Sequence, residues 1–282
     1  MSLFIASLNS GSNANCYYVG TTETSVLIDA GLSCRETEKR MTRLGLSLDK
    51  VQALFISHEH SDHVTGLPGL SRKYRWPVYI TQPTLSSARV PLETELVRSF
   101  VSGQAIDFGH LRVLPFSKHH DAADPYSFVI TAGEVNVGVF TDIGHCCEQV
   151  INHFKQCTAV FLESNYCEDM LEKGKYPWFL KQRIRGGQGH LSNAQALDLF
   201  CRHGQGISHL ILSHLSRNNN DPQLVERLFK EKAGTTNIYV ASRYQESELW
   251  HITPSFTKTR ALLTAEKKRK TKIAVVQQGS LF

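Results

Sequence analysis

Apolar residues in this chain come in short runs, and several of those runs end abruptly on a polar side chain. Leu3 to Leu8 reads as a strand, the small polar residues Asn9 to Asn15 as a turn, and Cys16 to Val19 as the second strand of a hairpin. Ser25 to Ile28 is a third strand, ending in Asp29-Ala30-Gly31. Ser33 then caps a helix with Leu44 near its end and Gly45 as its stop. Val51 to Ile56 is again strand-like, Val64 to Tyr74 is a helix interrupted at Pro68, and Trp76 to Ile80 is a short strand. Residues 82 to 108 carry no readable period.

The second half repeats the theme. His110 to Phe116 alternates as a strand and runs into Ser117-Lys118-His119-His120-Asp121. Strands follow at Tyr126 to Thr131, at Val135 to Phe140 ending in Thr141-Asp142, and at Ala159 to Leu162 ending in Glu163-Ser164-Asn165. Tyr166 to His203 is helical with breaks at Gly174, Pro177 and Gly186 to Gly189, and Ser192 caps Asn193 to Cys201. His209 to Ser213 is a strand stopping at His214, Asp221-Pro222 opens a helix to Lys232, and Ile238 to Ala241 and Glu248 to Ile252 are the last strands. From Thr253 onward the rhythm fails. The expected division is therefore a domain over residues 1–252 and a tail over 253–282 that begins as a basic linker.

The polar stops are chemically alike. The runs before Asp29, His58, Asp142 and His214 end on a side chain able to bind metal, and the run before His120 nearly so. Residues far apart in sequence can thus meet on one edge of a layered sheet fold. The densest cluster is Ser57-His58-Glu59-His60-Ser61-Asp62-His63. In an extended segment residues i and i+2 point the same way, so His58 and His60 can hold one cation while Asp62 and His63, past the turn, face a second. A carboxylate such as Asp142 can bridge two ions about 3.5–4 Å apart, a spacing that stabilises both attacking and leaving oxygens of an in-line displacement. His119 and His120 compete for one ligand position, and the alternation leading to them does not choose.

Composition narrows the setting. A chain of 282 residues with 41% hydrophobic content supports an ordinary globular core. No apolar run approaches the ~20 residues that cross a bilayer, and no basic segment precedes the first apolar residues, so a cytoplasmic protein is expected. Seven cysteines without a C-x-x-C pair argue against a disulfide framework or a thiolate zinc ribbon. The net charge of +5 is concentrated in the tail. Lys258 to Lys272 holds seven of the 31 Lys and Arg and one of the 26 Asp and Glu, leaving the remainder at −1. Such a tail attracts polyanions without forming a shaped surface.

His58-x-His60-x-Asp62-His63, with Asp29 before it and His120, Asp142 and His214 after it, resembles the metallo-beta-lactamase fold superfamily in its dinuclear form. The resemblance implies a four-layer αββα sandwich over residues 1–252. It implies that His58, His60 and His120 hold one metal, that Asp62, His63 and His214 hold the other, that Asp142 bridges them, and that Asp29 orients the site from behind. Either zinc or manganese fits such ligands. Further segments, Asn9 to Tyr17, Ile28 to Gly31, His120 to Ala122, Glu163 to Tyr166, Gly189 to Asn193 and Leu212 to Asn219, are similar to the WalJ/YycJ group of bacterial 5′-to-3′ DNA exonucleases. The turn reads Ser-Asn-Ala-Asn where that group's pattern leads one to expect Ser-Ser-Gly-Asn. Gly189-His190-Leu191-Ser192 also resembles a motif of transfer-RNA 3′ processing nucleases, which implies that His190 contacts the scissile phosphate and protonates the leaving oxygen.

The expected function is a two-metal phosphodiesterase on nucleic acid, a 5′-to-3′ DNA exonuclease of repair or replication, with Asp62 and His190 as catalytic groups. Ser10, Ser12 and Asn13 are candidate substrate contacts, Lys181, Arg183 and Arg185 a face that could follow a phosphate backbone, and His145 an ordinary loop residue. Gln278-Gly279-Ser280-Leu281-Phe282 resembles the bacterial sliding-clamp binding pentapeptide, which implies a clamp partner reached through Gln278, Leu281 and Phe282. Two rivals remain at this stage: a hydrolase of the same fold acting on a small phosphodiester, thioester or lactone, and a non-catalytic clamp-tethered adaptor.

Overall fold

The apolar runs of the first half pair into one sheet and those of the second half into another. In the computed structural model, which describes residues 1–254, the first sheet contains β1 (Leu3–Asn9), β2 (Cys16–Gly20), β3 (Ser25–Ile28), β4 (Val51–Phe55), β5 (Val78–Tyr79) and β6 (Val97–Arg98). The second contains β7 (Ile106–Phe108), β8 (Leu111–Ser117), β9 (Tyr126–Ala132), β10 (Val135–Phe140), β11 (Ala159–Glu163), β12 (His209–Ser213) and β13 (Asn237–Val240). The last strand, β14 (Trp250–Ile252), returns to the first sheet and pairs antiparallel with β1. The expected hairpin is the antiparallel pair of β1 and β2.

Strand periodicity sorts the core into layers. Ile5, Tyr17, Val26 and Phe55 of the first sheet meet Val113, Phe128, Val137 and Phe161 of the second between the two sheets. Alternate residues face outward: Leu8, Leu27 and Leu54 pack with Met41, Leu67 and Leu70, whereas Val160, Leu210 and Leu212 pack with Val150, Leu199 and Phe229. Met41 belongs to α1 (Cys34–Arg43), followed by α2 (Ser61–Val64), the Leu67–Tyr74 helix α3 and α4 (Gln82–Ala88). On the opposite face lie α5 (Glu148–Phe154), α8 (Asn193–His203) and α9 (Pro222–Lys230), with α6 (Glu168–Lys173) and α7 (Trp178–Arg185) in the connection from β11 to α8. The order helix, sheet, sheet, helix is the αββα sandwich expected from the sequence. None of the described helices is long and apolar enough to cross a membrane.

The helix signals acted where the chemistry allowed. Ser33 accepts from the Glu36 amide at the start of α1, and Ser192 forms a reciprocal capping box with Gln195 at α8. The helix expected over Val64 to Tyr74 breaks at Gly66 instead of Pro68. Pro68 sits in the first turn of α3, where its missing N–H removes no helical bond. Gly66 passes so close to Leu32 that an added Cβ would lie 1.7 Å from the Leu32 carbonyl oxygen. Helix α5 was not anticipated, and residues 82 to 108 resolve into α4 and the very short strands β6 and β7. Gln278, Leu281 and Phe282 lie outside the described residues.

Candidate metal centre

Parallel pairing places the exits of β3 and β4 together on one sheet and those of β10, β11 and β12 together on the other. Those exits carry Asp29, the His58 cluster, Asp142, Glu163 and His214. Three of them turn sharply: Asp29 (φ 63°), Asp142 (φ 53°) and His214 (φ 54°) occupy the left-handed region without being glycine. Each such backbone costs on the order of 1–3 kcal/mol and persists only where surrounding structure holds it. Hydrogen bonds hold it here. The Asp29 amide donates to Phe55 O at 2.8 Å, and the His214 amide to Ser10 Oγ at 2.7 Å.

Two donor trios adjoin. His58 Nε2 lies 3.0 Å from His60 Nδ1, which is 3.4 Å from His120 Nε2. In the second trio Asp62 Oδ2 is 3.4 Å from both His63 Nε2 and His214 Nε2. Within each trio the ligand atoms lie within 4.8 Å of one another. Tetrahedral bonds of 2.0–2.1 Å give donor separations of about 3.4 Å, so these are the edges of sites a divalent ion would fill. Asp142 stands between the trios. Its Oδ2 is 3.3 Å from His63 Nε2, and its Oδ1 is 3.3 Å from His214 Nδ1 and 3.9 Å from His120 Nε2. Oδ2 is fully buried and accepts no hydrogen bond, a costly state for a carboxylate oxygen unless a cation meets it. The donor set therefore fits divalent metal.

The electrostatics agree. Asp29, Asp142 and Glu163 are buried and Asp62 nearly so, with Lys118 the buried cation close by. Burial works against the charged Asp142, yet His214 and His63 beside it hold its pKa well below the usual carboxylate range. Burial likewise opposes a charged His214, but Asp142 and then Asp62 and Glu163 push it up to about 10. A cluster that attracts protons this strongly also attracts divalent cations, which displace them. Burial, followed by the charge of His63, keeps His58 well below its ordinary value, in the neutral form that ligates.

A ring of supports fixes which nitrogen is free. His58 Nδ1 meets Ser57 Oγ at 2.9 Å, His63 Nδ1 meets Asp29 Oδ2 at 2.8 Å, and His120 Nδ1 meets the Gly189 carbonyl at 2.9 Å. His214 Nδ1 meets Glu163 Oε1 at 3.1 Å. In all four rings the second nitrogen, Nε2, is left toward the centre, the usual way outer partners set ligand tautomers. Asp29 also accepts from the Ser57 amide (2.8 Å) and hydroxyl (2.9 Å), so one carboxylate ties β3 to the His58 segment. Asn15 Nδ2 donates to Asp62 Oδ2 at 2.9 Å. The Asp29-Ala30-Gly31 segment presses against the same loop: a Cβ on Gly31 would fall 1.8 Å from Asp62 O. Gly31→Ala should cost about 1–3 kcal/mol through forced repacking and lower bound metal per chain. Thermal melting and elemental analysis measure both, and an unchanged variant would refute the close approach.

The site brings together most of the residues expected from sequence and separates some. His120 is buried in the first trio, whereas His119 is exposed and stacks on His145 with ring centroids 4.2 Å apart. His145 bonds the Gly187 carbonyl outside the trios. His190 lines a cleft of about 260 Å³ with Ser12, Asp62, Asp121 and His214. Ser12 thus faces the cleft and Asn13 is exposed, donating to Arg243 O. Ser10 is buried, its hydroxyl shared between Tyr17 and the His214 amide, so it supports His214.

Glu163 is the residue whose role sequence reasoning missed. Fully buried, it bonds His190 Nδ1 (2.7 Å) and His214 Nδ1 (3.1 Å) through Oε1, and accepts the amides of Ile143 (2.8 Å) and Leu191 (3.1 Å) through Oε2. Burial opposes its charge, but His190 and His214 bring its pKa down to about 2. The usable signal was its place at the end of a strand, the position shared by Asp29, Asp142 and His214.

Comparison with known proteins places this architecture. A profile of the Beta-lactamase superfamily domain matches residues 24–215. Exodeoxyribonuclease YycJ of Bacillus anthracis is 34% identical over 242 residues, 82% of this chain and 91% of the relative. Exodeoxyribonuclease WalJ of Streptococcus pneumoniae is 29% identical over 77% of this chain and 83% of its own length. Among solved structures, the metallo-beta-lactamase fold protein YhfI of Bacillus subtilis superposes with a TM-score of 0.70 at 15% identity, covering 89% of this chain and 100% of that one. The four-layer frame, the strand-end donors and this shared sequence together make the chain a member of the beta-lactamase superfamily, a hydrolase of the metallo-beta-lactamase fold.

Proposed function

We propose that residues 1–252 form a single hydrolase unit that uses two divalent ions, zinc or manganese, to cleave phosphodiester bonds of nucleic acid, acting as a 5′-to-3′ exonuclease on DNA during repair or replication. The observation that carries the reading is the pair of adjoining donor trios around Asp142, whose Oδ2 accepts no hydrogen bond, with His190 at the cleft beside them. The two relatives named exodeoxyribonucleases, aligned over most of the chain, support the choice of substrate.

In this reading His58, His60 and His120 hold one ion, Asp62, His63 and His214 the other, and Asp142 both. Bound ions supply an activated water and neutralise charge building at phosphorus. Glu163 fixes the Nδ1 of His190, which leaves Nε2 on a cleft-lining ring to pass a proton to the departing 3′ oxygen. His190→Ala should lower turnover by about 10²-fold or more with metal content retained; loss of metal would reassign His190 to ligation.

The decisive assay follows mononucleotide release from 5′-phosphorylated single-stranded and duplex DNA and RNA, with zinc, manganese or chelator. Metal-dependent release from the 5′ end of DNA is expected. Cleavage confined to a small phosphodiester or thioester would select the small-substrate rival, and inertness with full metal would select the adaptor. The tail supports a separate proposal from sequence alone: truncation before Gln278 removes sliding-clamp binding and spares hydrolysis of a free oligonucleotide. Clamp binding that survives truncation would end that idea.

A further inference from the structure

Helix α7 buries none of its residues, yet two of the three most exposed large apolar side chains of the described fold stand next to each other on it. Trp178 is 75% and Phe179 69% accessible. Its sequence, Trp-Phe-Leu-Lys-Gln-Arg-Ile-Arg, has three cations and no acid. At helical spacing Trp178 shares a face with Lys181 and Arg185, and Phe179 with Arg183. The helix also forms part of the cleft wall: Leu180, Arg183 and Ile184 line it, and Arg183 forms an ion pair with Asp121, the neighbour of His120. Arg185 is paired with Glu172, but exposed pairs of this kind contribute little and exchange readily for phosphate.

Exposed aromatics interleaved with cations at the lip of a catalytic cleft have a specific chemical use. Base faces stack on the rings whatever the sequence, and the cations follow the backbone. We propose that α7 is a stacking platform for a single-stranded end of nucleic acid, with Trp178 and Phe179 each taking a base and Lys181, Arg183 and Arg185 leading the backbone toward the metal ligands. The proposal rests on the phosphodiesterase reading above. A helix of this size, about 12 Å long at 1.5 Å per residue, has room for the last few nucleotides and not for a duplex docking surface. The charge of α7 selects a polyanion over an apolar partner face.

The three tryptophans make the test direct, because Trp76 and Trp250 are buried at 6% and 7% and only Trp178 is open to solvent. Titrating the metal-loaded protein with a cleavage-resistant phosphorothioate oligothymidine should quench the exposed tryptophan emission. Trp178→Phe should abolish the quench while anisotropy still reports binding. Trp178→Ala with Phe179→Ala should weaken binding at least about tenfold, with the melting temperature showing an intact fold. Equal oligonucleotide affinity in the double variant overturns the platform, as does a change of oligomeric state with affinity unchanged, which would make α7 a contact between copies. Binding without cleavage by the wild type leaves the platform and removes the exonuclease reading. Cleavage with an indifferent double variant does the reverse, and a wild type that neither binds nor cleaves removes both.

Discussion

Asp142→Asn should lower turnover by about 10³-fold, since metal-supplied charge stabilisation is worth several kcal/mol and each 1.4 kcal/mol is a factor of ten. Asparagine suits the test because, like aspartate, it tolerates the left-handed backbone that residue 142 adopts at φ 53°. The substitution therefore removes charge and a ligand oxygen while leaving the turn after β10 intact. Bound metal should fall below the two ions per chain of the proposed arrangement, and circular dichroism should stay that of the parent. Parental turnover with both ions retained would show that Asp142 is not shared between the trios.

Glu163→Gln should have the next largest effect although it touches no metal in the proposed arrangement. Whichever way the amide is turned, its NH₂ faces donors. On one side are the amides of Ile143 and Leu191; on the other are the Nδ1 atoms of His190 and His214. In the first orientation two buried N–H groups lose their acceptor, at about 1–3 kcal/mol each. In the second both imidazoles must carry a single proton on Nε2, which disables His214 as a ligand and leaves His190 a neutral ring, a far weaker acid than the imidazolium that a carboxylate at Nδ1 supports. Loss of a ligand's outer partner typically costs 10–100-fold in affinity or activity, and here two rings depend on one carboxylate, so about 100-fold is expected. Metal titration alongside turnover separates the two orientations. A variant with parental affinity and rate would show that Glu163 is structural only.

The sequence exposed the candidate ligands because most of them sit at or just beyond the point where a run of apolar residues stops, and parallel strands carry such stops to one edge. Ser33 and Ser192 were equally readable, since a cap acts within four residues of itself. What could not be read depends on contacts distant in sequence. His120 and His119 are separated by burial against His60 and by the Gly189 carbonyl, neither of which the strand pattern encodes. The break at Gly66 is imposed by Leu32, not by the nearby proline. Helix α4 ends in left-handed Arg89 where a glycine would have marked the stop, one reason residues 82 to 108 show no readable period. Glu163 was visible as a strand-end acid, but its four bonds come from the turn after β10, the loop after α7 and the turn after β12, and only the folded sheet joins them.

The left-handed turns at Asp29, Asp142 and His214 set stability and catalysis against each other at three identifiable codons. Glycine would relax all three backbones and, at Asp142, also remove a buried carboxylate oxygen that accepts no hydrogen bond. A library of this gene selected only for heat resistance would drift toward glycine or asparagine at residue 142 and lose hydrolysis, whereas at Asp29 the bonds to Ser57 and His63 oppose the change. Any programme that hardens this enzyme should therefore hold these three positions fixed and look for its gains elsewhere.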